Sequence, residues 1–150
     1  MNTERKSTRS AALVLLMIAT VASMVAVSAA QEKVKPAITI AQLAGPWQIS
    51  VVGNTGCGVS ALLFVGTLNA SGTASGTLTG ASTGCASSSD TQTFTITSLN
   101  ANGSGTANLS CGSGCGWDFN IQVAPSKQVF NLVDVSNGND NVLAGTAVKQ

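Results

Sequence analysis

The sequence has no histidine and no tyrosine, and only 9% of its 150 residues are charged. Without histidine, serine–histidine and cysteine–histidine catalysis are excluded, because both use an imidazole as the general base. Metal centres that depend on imidazole ligands are excluded for the same reason. The chemistry left to this chain is therefore that of hydroxyls, amides, thiols and a few carboxylates.

Arginine is confined to the first nine residues. From residue 31 onward the chain holds four lysines and five acidic residues, which give a net charge of −1. A nucleic-acid-binding protein needs a basic stripe to neutralise phosphates, and an anionic membrane surface attracts proteins through the same cations. We therefore expect neither nucleic acid nor a membrane as a partner of the mature chain.

Residues 1–30 have the three parts of a secretory signal peptide. Basic side chains occur within the first nine residues, the segment 11–27 carries no charge, and small residues follow at 28–30. The alternative is an uncleaved membrane anchor, for which seventeen apolar residues are at the short limit. We predict cleavage after Ala30, a secreted or periplasmic location, and a flexible leader over 31–41.

Four cysteines follow the predicted cleavage site, at Cys57, Cys85, Cys111 and Cys115. In an oxidising compartment an even number of cysteines indicates disulfide bonds, and four cysteines allow three pairings. A zinc site would need four thiolates at ligand spacing, and only the two last cysteines have it. We predict two disulfides, no metal and no other cofactor.

The rest of the chain has the pattern of an antiparallel β meander. Short apolar or alternating runs are separated by clusters of Gly, Asn and Ser, and no amphipathic helical stretch is present. The connections are short except for the one at 81–90. We predict a single domain over 42–150 with strands at about 46–52, 60–69, 73–80, 91–98, 104–110, 116–124, 127–135 and 142–148.

Two segments about thirty residues apart are similar in sequence. Residues 64–72 and 94–103 both begin with Phe and end with Leu-Asn-Ala-x-Gly, and a looser third copy covers 130–138. Each copy is typical of a strand that enters an Asn/Gly hairpin turn. The alternative is coincidence, since a chain rich in Gly, Ser, Thr and Asn also matches itself by chance.

These hairpins predict how the cysteines pair. If the first turn is centred near Ser71, residues whose numbers sum to 142 face each other, and Cys57 then lies opposite Cys85. If the later turn is centred on Ser113, Cys111 faces Cys115 in the same way. The geometry therefore selects these two disulfides among the three pairings.

Alternation along the predicted strands gives the sheet one apolar and one polar face. In the strand at 116–124, for example, Trp117 and Phe119 alternate with Asp118 and Asn120. A sheet of this kind buries its apolar face and loses its exposed edges when it curls into a barrel. We predict an all-β fold, an eight-stranded antiparallel up-and-down meander that closes into a small barrel.

The first predicted strand resembles a known pattern. Leu43-Ala44-Gly45-Pro46-Trp47 is similar to the L-x-G-x-W start of the calycin barrels, the lipocalins and avidins, and Gly116-Trp117 is similar to the Gly-Trp that opens an inner strand in avidin-like proteins. The resemblance implies that Gly45 and Trp47 form a motif in which the indole packs across one end of the barrel. The further Trp residues that enclose biotin in avidins are absent, so the resemblance implies the barrel and not biotin binding.

The acidic residues do not form a recognisable catalytic pair. Glycoside hydrolysis requires two carboxylates across one cleft, whereas Asp90 lies in the long connection, Asp118 is on the polar face, and Asp134 and Asp140 flank the last turn. The segment 134–141 is rich in oxygen ligands but lacks the EF-hand spacing, which favours an Asn/Asp/Gly turn over a calcium site. We do not expect this chain to be an enzyme.

Two classes of function remain. A closed eight-stranded barrel has room for its own side chains or for one small ligand, so the first class is a carrier of a small apolar molecule. Its candidate pocket is formed by the inward-facing aromatic residues Trp117, Phe119, Phe64, Phe94 and Phe130. The alternative for the same residues is a packed core, and the interior volume distinguishes the two.

The second class is a surface adhesive or self-associating module with no internal ligand. It is motivated by two hydroxyl rows, at alternate positions of 73–79 and of 91–97. Regular threonine rows on a flat sheet form binding faces such as those that bind ice, but threonine is also common on exposed strands. A closed barrel would count against this class.

Overall fold

A computed structural model describes residues 37–112, 115–136 and 141–150. In these residues eight antiparallel strands form an up-and-down meander that closes into a barrel, as predicted. The strands are β1 (Gly45–Thr55), β2 (Gly58–Leu68), β3 (Thr73–Ser82), β4 (Ser88–Leu99), β5 (Ser104–Ser110), β6 (Gly116–Val123), β7 (Val129–Asp134) and β8 (Val142–Lys149). The predicted signal peptide lies outside the described residues, and no described helix is long and apolar enough to cross a membrane.

Closure comes from the pairing of the first and last strands. Gln48 of β1 is paired with Val148 of β8, and the eight-residue register between these strands runs from Trp47↔Lys149 to Asn54↔Val142. Every strand therefore has a hydrogen-bonded neighbour on both sides. A barrel closed in this way has no free edge that another chain could extend.

The strands next to the long connection are longer than the side-chain pattern predicts. The strand β4 begins at Ser88, and Ser88 and Ser89 pair with Gly80 and Thr79 of β3. Small polar side chains carry no apolar alternation, so the sequence pattern does not reveal this part of the strand. Pairing here depends on the backbone hydrogen bonds that the neighbouring strand provides.

The chain enters the barrel through a short 3-10 helix, Ile40–Leu43. Just before it, Ile38 is buried and its backbone N–H donates to the Ala101 carbonyl over 3.0 Å. The folded domain thus includes part of the segment 31–41 that sequence analysis assigned to a flexible leader. A single helical turn is too short to produce an amphipathic period, which is why no helix was expected in this segment.

The two similar sequence segments form the same turn. In each turn the Gly N–H donates to the Asn carbonyl, from Gly72 to Asn69 over 3.1 Å and from Gly103 to Asn100 over 2.9 Å. Both glycines have positive φ, 90° and 88°, a region that side chains with a Cβ rarely enter. The repeat is therefore structural, while the turn of the looser third copy falls in 137–140, outside the described residues.

A related turn connects β6 to β7, but it has Lys127 where the other two turns have glycine. Lys127 donates its N–H to Ala124 O over 2.9 Å and has φ of 60°. Left-handed backbone costs a residue with a Cβ about 1–2 kcal/mol, and the greater freedom of unfolded glycine offsets part of that cost. We expect Lys127→Gly to raise the free energy of unfolding by about 0.5–1 kcal/mol.

Urea denaturation would measure this change from the shift of the unfolding midpoint. The matched control is Gln128→Gly, because Gln128 is the next residue and has no positive φ. It should lower the midpoint. A lower midpoint for Lys127→Gly as well would show that the turn gains nothing from glycine.

The two ends of the barrel differ. At one end, which we call the helix end, the segment 38–43 packs over the turns at 69–72 and 100–103, and Ile38 and Leu43 belong to the buried core. At the other, which we call the disulfide end, lie the β1–β2 and β3–β4 connections and the described part of the β5–β6 connection, with all four cysteines. The helix end is thus covered by the chain's own N-terminal segment.

Candidate functional site

The predicted pocket residues divide into two groups in the structure. The four phenylalanines Phe64, Phe94, Phe119 and Phe130 are each at most 1% exposed. Ring centroids are 6.2 Å apart for Phe64 and Phe94, 6.0 Å for Phe94 and Phe130, and 4.8 Å for Phe130 and Trp47. Three of these phenylalanines therefore form, together with Trp47, a continuous series of aromatic contacts in the buried core.

Trp117 is separate from this series. It is only half-buried, because it is the second residue of β6 and so lies at the disulfide end. There it lines an open cleft of about 190 Å³. The structure thus brings three of the phenylalanines together in the core, buries Phe119 as well, and places Trp117 at the mouth of the barrel.

The cleft is bounded by the ends of β1, β2, β3 and β6 and by the β3–β4 connection. Its apolar wall includes Leu62 and Trp117, and its polar residues include Thr55 and Ser60. Leu62 is partly buried against the core. The cleft therefore has an apolar wall, a polar corner formed by Thr55 and Ser60, and two further serines, Ser82 and Ser88.

The polar corner is a pair of buried hydroxyl groups. Thr55 Oγ1 and Ser60 Oγ are 2.8 Å apart, and both residues are buried. Ser60 Oγ donates to the Gly58 carbonyl over 3.1 Å, and Thr55 Oγ1 accepts the Cys57 N–H over 3.1 Å. If Thr55 donates to Ser60, each oxygen uses its hydrogen and one lone pair, which leaves one acceptor position on each.

Both predicted disulfides are confirmed, and one of them forms part of the cleft. Cys57 and Cys85 have Cα atoms 5.4 Å apart and join the β1–β2 turn to the β3–β4 connection. Both residues line the cleft. Cys111 and Cys115 have Cα atoms 5.1 Å apart and close the β5–β6 hairpin. The predicted cross-strand positions differ slightly, since all four cysteines lie just beyond the ends of the paired strands.

The motif formed by Gly45 and Trp47 lies at the opposite end from the cleft. The Trp47 side chain is buried, and its Nε1–H donates to the Leu43 carbonyl over 2.7 Å. Lys149 Nζ lies 5.9 Å from the centre of the indole. Gly45 has φ of 133°, and a Cβ there would come within 2.8 Å of Lys149 Cε. The two residues thus help to pack the helix end.

The described acidic residues have different surroundings, although Asp118 and Asp134 lie on neighbouring strands and both contact Ser136. Asp90 is exposed but lies in β4, paired with Leu78, and not in the long connection as predicted. Asp118 Oδ1 accepts the Asn108 amide N–H over 2.8 Å. Asp134 Oδ1 accepts from the N–H and the hydroxyl of Ser136, while its Oδ2 is buried without a partner among the described residues. Asp140 lies outside them. The described residues contain no group of three or more potential metal ligands.

The hydroxyl rows lie on the outer surface of β3 and β4. Ser75 pairs with Thr93 and Thr77 with Thr91 across the two strands, and all four side chains are exposed or nearly so. The rows follow the curved wall of a closed barrel, which is the arrangement that counts against a flat binding face. They belong to a larger hydroxyl-rich region that continues to Thr106 of β5.

Sequence reasoning did not identify Thr55, Ser60 or Leu62 as site residues. One signal was available: Ser60 and Leu62 precede the buried Phe64 in β2 by four and two residues. Because side chains of a strand alternate between its two faces, all three face inward. Inward-facing positions are otherwise apolar, so a serine at such a position indicates a polar group inside the barrel. Scans against protein-family models and against curated proteins found no match to this chain, so its function has to be argued from this site.

Proposed function

We propose that this chain is an exported, non-catalytic, calycin-like barrel that binds one small, mainly apolar molecule in the cleft at its disulfide end. The observation that carries the proposal is the cleft between Trp117 and Leu62, with the Thr55–Ser60 hydroxyl pair at its corner. The binding site is thus the mouth of the barrel and not its phenylalanine-filled middle.

The size of the cleft limits the ligand. Its volume of about 190 Å³ is similar to that of an apolar cavity of about 150 Å³ that holds a single benzene molecule. It is smaller than the roughly 300–1,000 Å³ of sites for drug-sized ligands. A molecule with one aromatic ring, or an aliphatic group of equal size, therefore fits best.

The lining indicates which polar group the ligand carries. The indole of Trp117 and the side chain of Leu62 offer apolar contacts to a ring, while Thr55 and Ser60 present acceptor positions in the hydrogen-bond pattern described above. Both oxygens already have partners in the protein, and the lone pair left on each accepts from a donor on the ligand. The ligand class is therefore a small ring compound with a hydroxyl or N–H group, such as a phenol.

Binding without catalysis is supported by the residues near the cleft. The chain has no histidine, and neither Asp118 nor Asp134 lines the cleft. Among the described residues, no base lines the cleft that would make its hydroxyls nucleophiles. Export is supported by the two disulfides, which persist in oxidising compartments, and the calycin-like architecture by the closed meander and the position of Trp47 at one end.

The proposal is tested by nuclear magnetic resonance of the ¹⁵N-labelled protein with p-cresol as the probe. The chain has two tryptophans, and they lie at opposite ends of the barrel, so their indole N–H signals report separately. We expect the Trp117 signal to shift with saturation at a Kd of about 0.1–1 mM, a range that suits a ligand of this size. The Trp47 signal should stay in place.

Two comparisons sharpen the test. Toluene lacks the hydroxyl group and should bind less tightly than p-cresol, and Ser60→Ala should weaken p-cresol binding about threefold to tenfold while leaving toluene binding nearly unchanged. Trp117→Ala should weaken both. If neither indole signal moves, or if both move together, the cleft is not the binding site and the proposal fails.

A further inference from the structure

The outer surface of the barrel is divided into two unlike halves. All eight large apolar side chains that are exposed in the described residues lie on β1, β2, β7 and β8 or directly after β7: Val52, Val59, Leu63, Val65, Val133, Val135, Val142 and Val148. Because β7, β8, β1 and β2 are consecutive around the barrel, these side chains share one side of the molecule. We call this side the valine face.

The strand register shows that the valine face is continuous. Val133 of β7 is paired with Ala144 of β8, Ala144 with Val52 of β1, and Val52 with Ala61 of β2. These four residues form an unbroken apolar row across four strands. Val52 is in the middle of the row and is 61% exposed.

Further apolar side chains lie on both sides of this row. Toward the disulfide end, Val59 is 67% and Val142 is 70% exposed, and both pair with Asn54. Toward the helix end, Val65 and Val148 both pair with Gln48. Single exposed apolar residues are ordinary on protein surfaces, but a contiguous patch marks a site of interaction.

Among the described residues, the outward-facing positions of β7, β8, β1 and β2 carry no charged side chain. The polar positions of the valine face are uncharged: Gln48, Ser50, Asn54, Thr67, Asn131 and Thr146. The opposite half of the barrel presents hydroxyl and amide side chains and includes the exposed Asp118. The uneven distribution gives the barrel an amphipathic exterior.

We propose that the valine face is the interface of a symmetric homodimer, in which it covers the same face of a second copy of this chain. A two-fold interface requires a surface that is complementary to itself. An uncharged apolar surface meets this condition because two copies bring no like charges together.

The dimensions of the face fit such a dimer. Four strands about 4.8 Å apart, with eight to ten residues that each rise about 3.3 Å, cover a projected area of about 400–600 Å². Projecting side chains make the accessible area larger than this. The projected area meets the range of about 600–1,000 Å² per partner that stable interfaces bury only at its own upper limit, which corresponds to a weak dimer.

Sedimentation equilibrium of the protein purified after expression of the full sequence tests the proposal. We expect a monomer–dimer equilibrium with a micromolar Kd, which added sodium chloride does not weaken, because the contact is apolar. Val52→Asp places a charge at the centre of the face and should weaken dimerisation about a hundredfold. Val142→Asp, at the start of β8, should also weaken dimerisation. It keeps the test valid if Val52→Asp does not fold.

The matched control is Thr93→Asp. Thr93 is also an exposed strand residue, but it lies on β4, in the opposite half of the barrel. This variant should dimerise like the unmodified chain. Circular dichroism of all three variants checks that each is folded.

Three results would overturn the proposal: a monomer at every concentration, a dimer unaffected by both valine substitutions, or an equal loss in Thr93→Asp. A monomer that cosediments with phosphatidylcholine vesicles, and no longer does so as Val52→Asp, would assign the face to a lipid surface instead. The proposal does not depend on the cleft, because none of the eight exposed apolar side chains lines it.

Discussion

Replacing Phe130 with alanine is expected to lower the free energy of unfolding by about 3–5 kcal/mol, the usual cost of removing a buried aromatic side chain. Phe130 is fully buried in β7, and its ring contacts Trp47 on one side and Phe94 on the other. The substitution removes the middle of the aromatic series. Closed walls surround the site on all sides, so the barrel cannot collapse easily around the space that is left.

A loss of this size is large for a small domain, whose total stability is about 5–15 kcal/mol. Guanidinium denaturation would measure it from the midpoint and slope of the unfolding curve. Phe130→Leu is the matched control, since leucine keeps most of the apolar volume and should cost about 1–2 kcal/mol. Equal losses for the two variants would mean that the ring contacts contribute little beyond apolar burial.

The same variant separates the two roles that sequence analysis left open for the phenylalanines. If they form the packed core, Phe130→Ala should bind p-cresol with an unchanged Kd under conditions in which it remains folded. If they line the ligand site, affinity should fall along with stability, or p-cresol should enter the new space and restore stability by mass action. The first result is the one we expect, because the cleft lies at the disulfide end.

Removal of the Cys57–Cys85 disulfide is the second change with a large expected effect. The bond joins residues 28 positions apart, and in the chain-entropy model a loop of this length stabilises the folded state by about 3–4 kcal/mol. We expect Cys57→Ser with Cys85→Ser to lose about this amount in urea denaturation. The loss arises mainly in the unfolded chain, which gains conformations when the link is removed.

The other disulfide supplies the control. Cys111 and Cys115 are only four positions apart, so the same model assigns their bond about 2 kcal/mol. Substitution of both by serine should therefore lower the midpoint less. A larger effect for the short loop would show that native contacts at the β5–β6 hairpin outweigh chain entropy.

The first disulfide should also affect the cleft. Both of its cysteines line the cleft, and Gly84 N–H donates to the Cys57 carbonyl over 2.8 Å, so the disulfide holds two connections beside the cleft. We expect the Cys57/Cys85 variant to bind p-cresol more weakly than the Cys111/Cys115 variant when both are folded. Equal affinities would mean that backbone hydrogen bonds alone hold the cleft open.

The sequence by itself determined the strands, their antiparallel order and the disulfide pairing. These features follow from local patterns: alternation identifies inward-facing residues such as Phe94 and Phe119, and Asn/Gly turns set the hairpin register. The register of β2 and β3 places Ser60 opposite Ser82, and the same register continues to Cys57 and Cys85. Once the turn of a hairpin is fixed, counting residues along its two strands gives the pairs that face each other.

The sequence also predicted that Trp117 faces inward, but not at which level of the barrel. Side chains alternate between inward and outward in the same way in the packed middle of the barrel and at its open mouth. The level depends on how the strands are staggered when β1 meets β8, and no local pattern records that stagger. This is why Trp117 and Phe119, two residues apart in one strand, have different surroundings.

Only the tertiary structure brought together Thr55 and Ser60 with Trp117, and only closure gathered the exposed valines of β7, β8, β1 and β2. Strands β1 and β2 precede the other strands in the sequence and β7 and β8 follow them, so each pair contributes only part of the face. Hydrogen bonds between the first and last strands join the two parts of the valine face, and closure of the sheet brings Trp117 of β6 to the same cleft as Thr55 and Ser60. These are long-range contacts, and their positions depend on the closed geometry of the whole sheet.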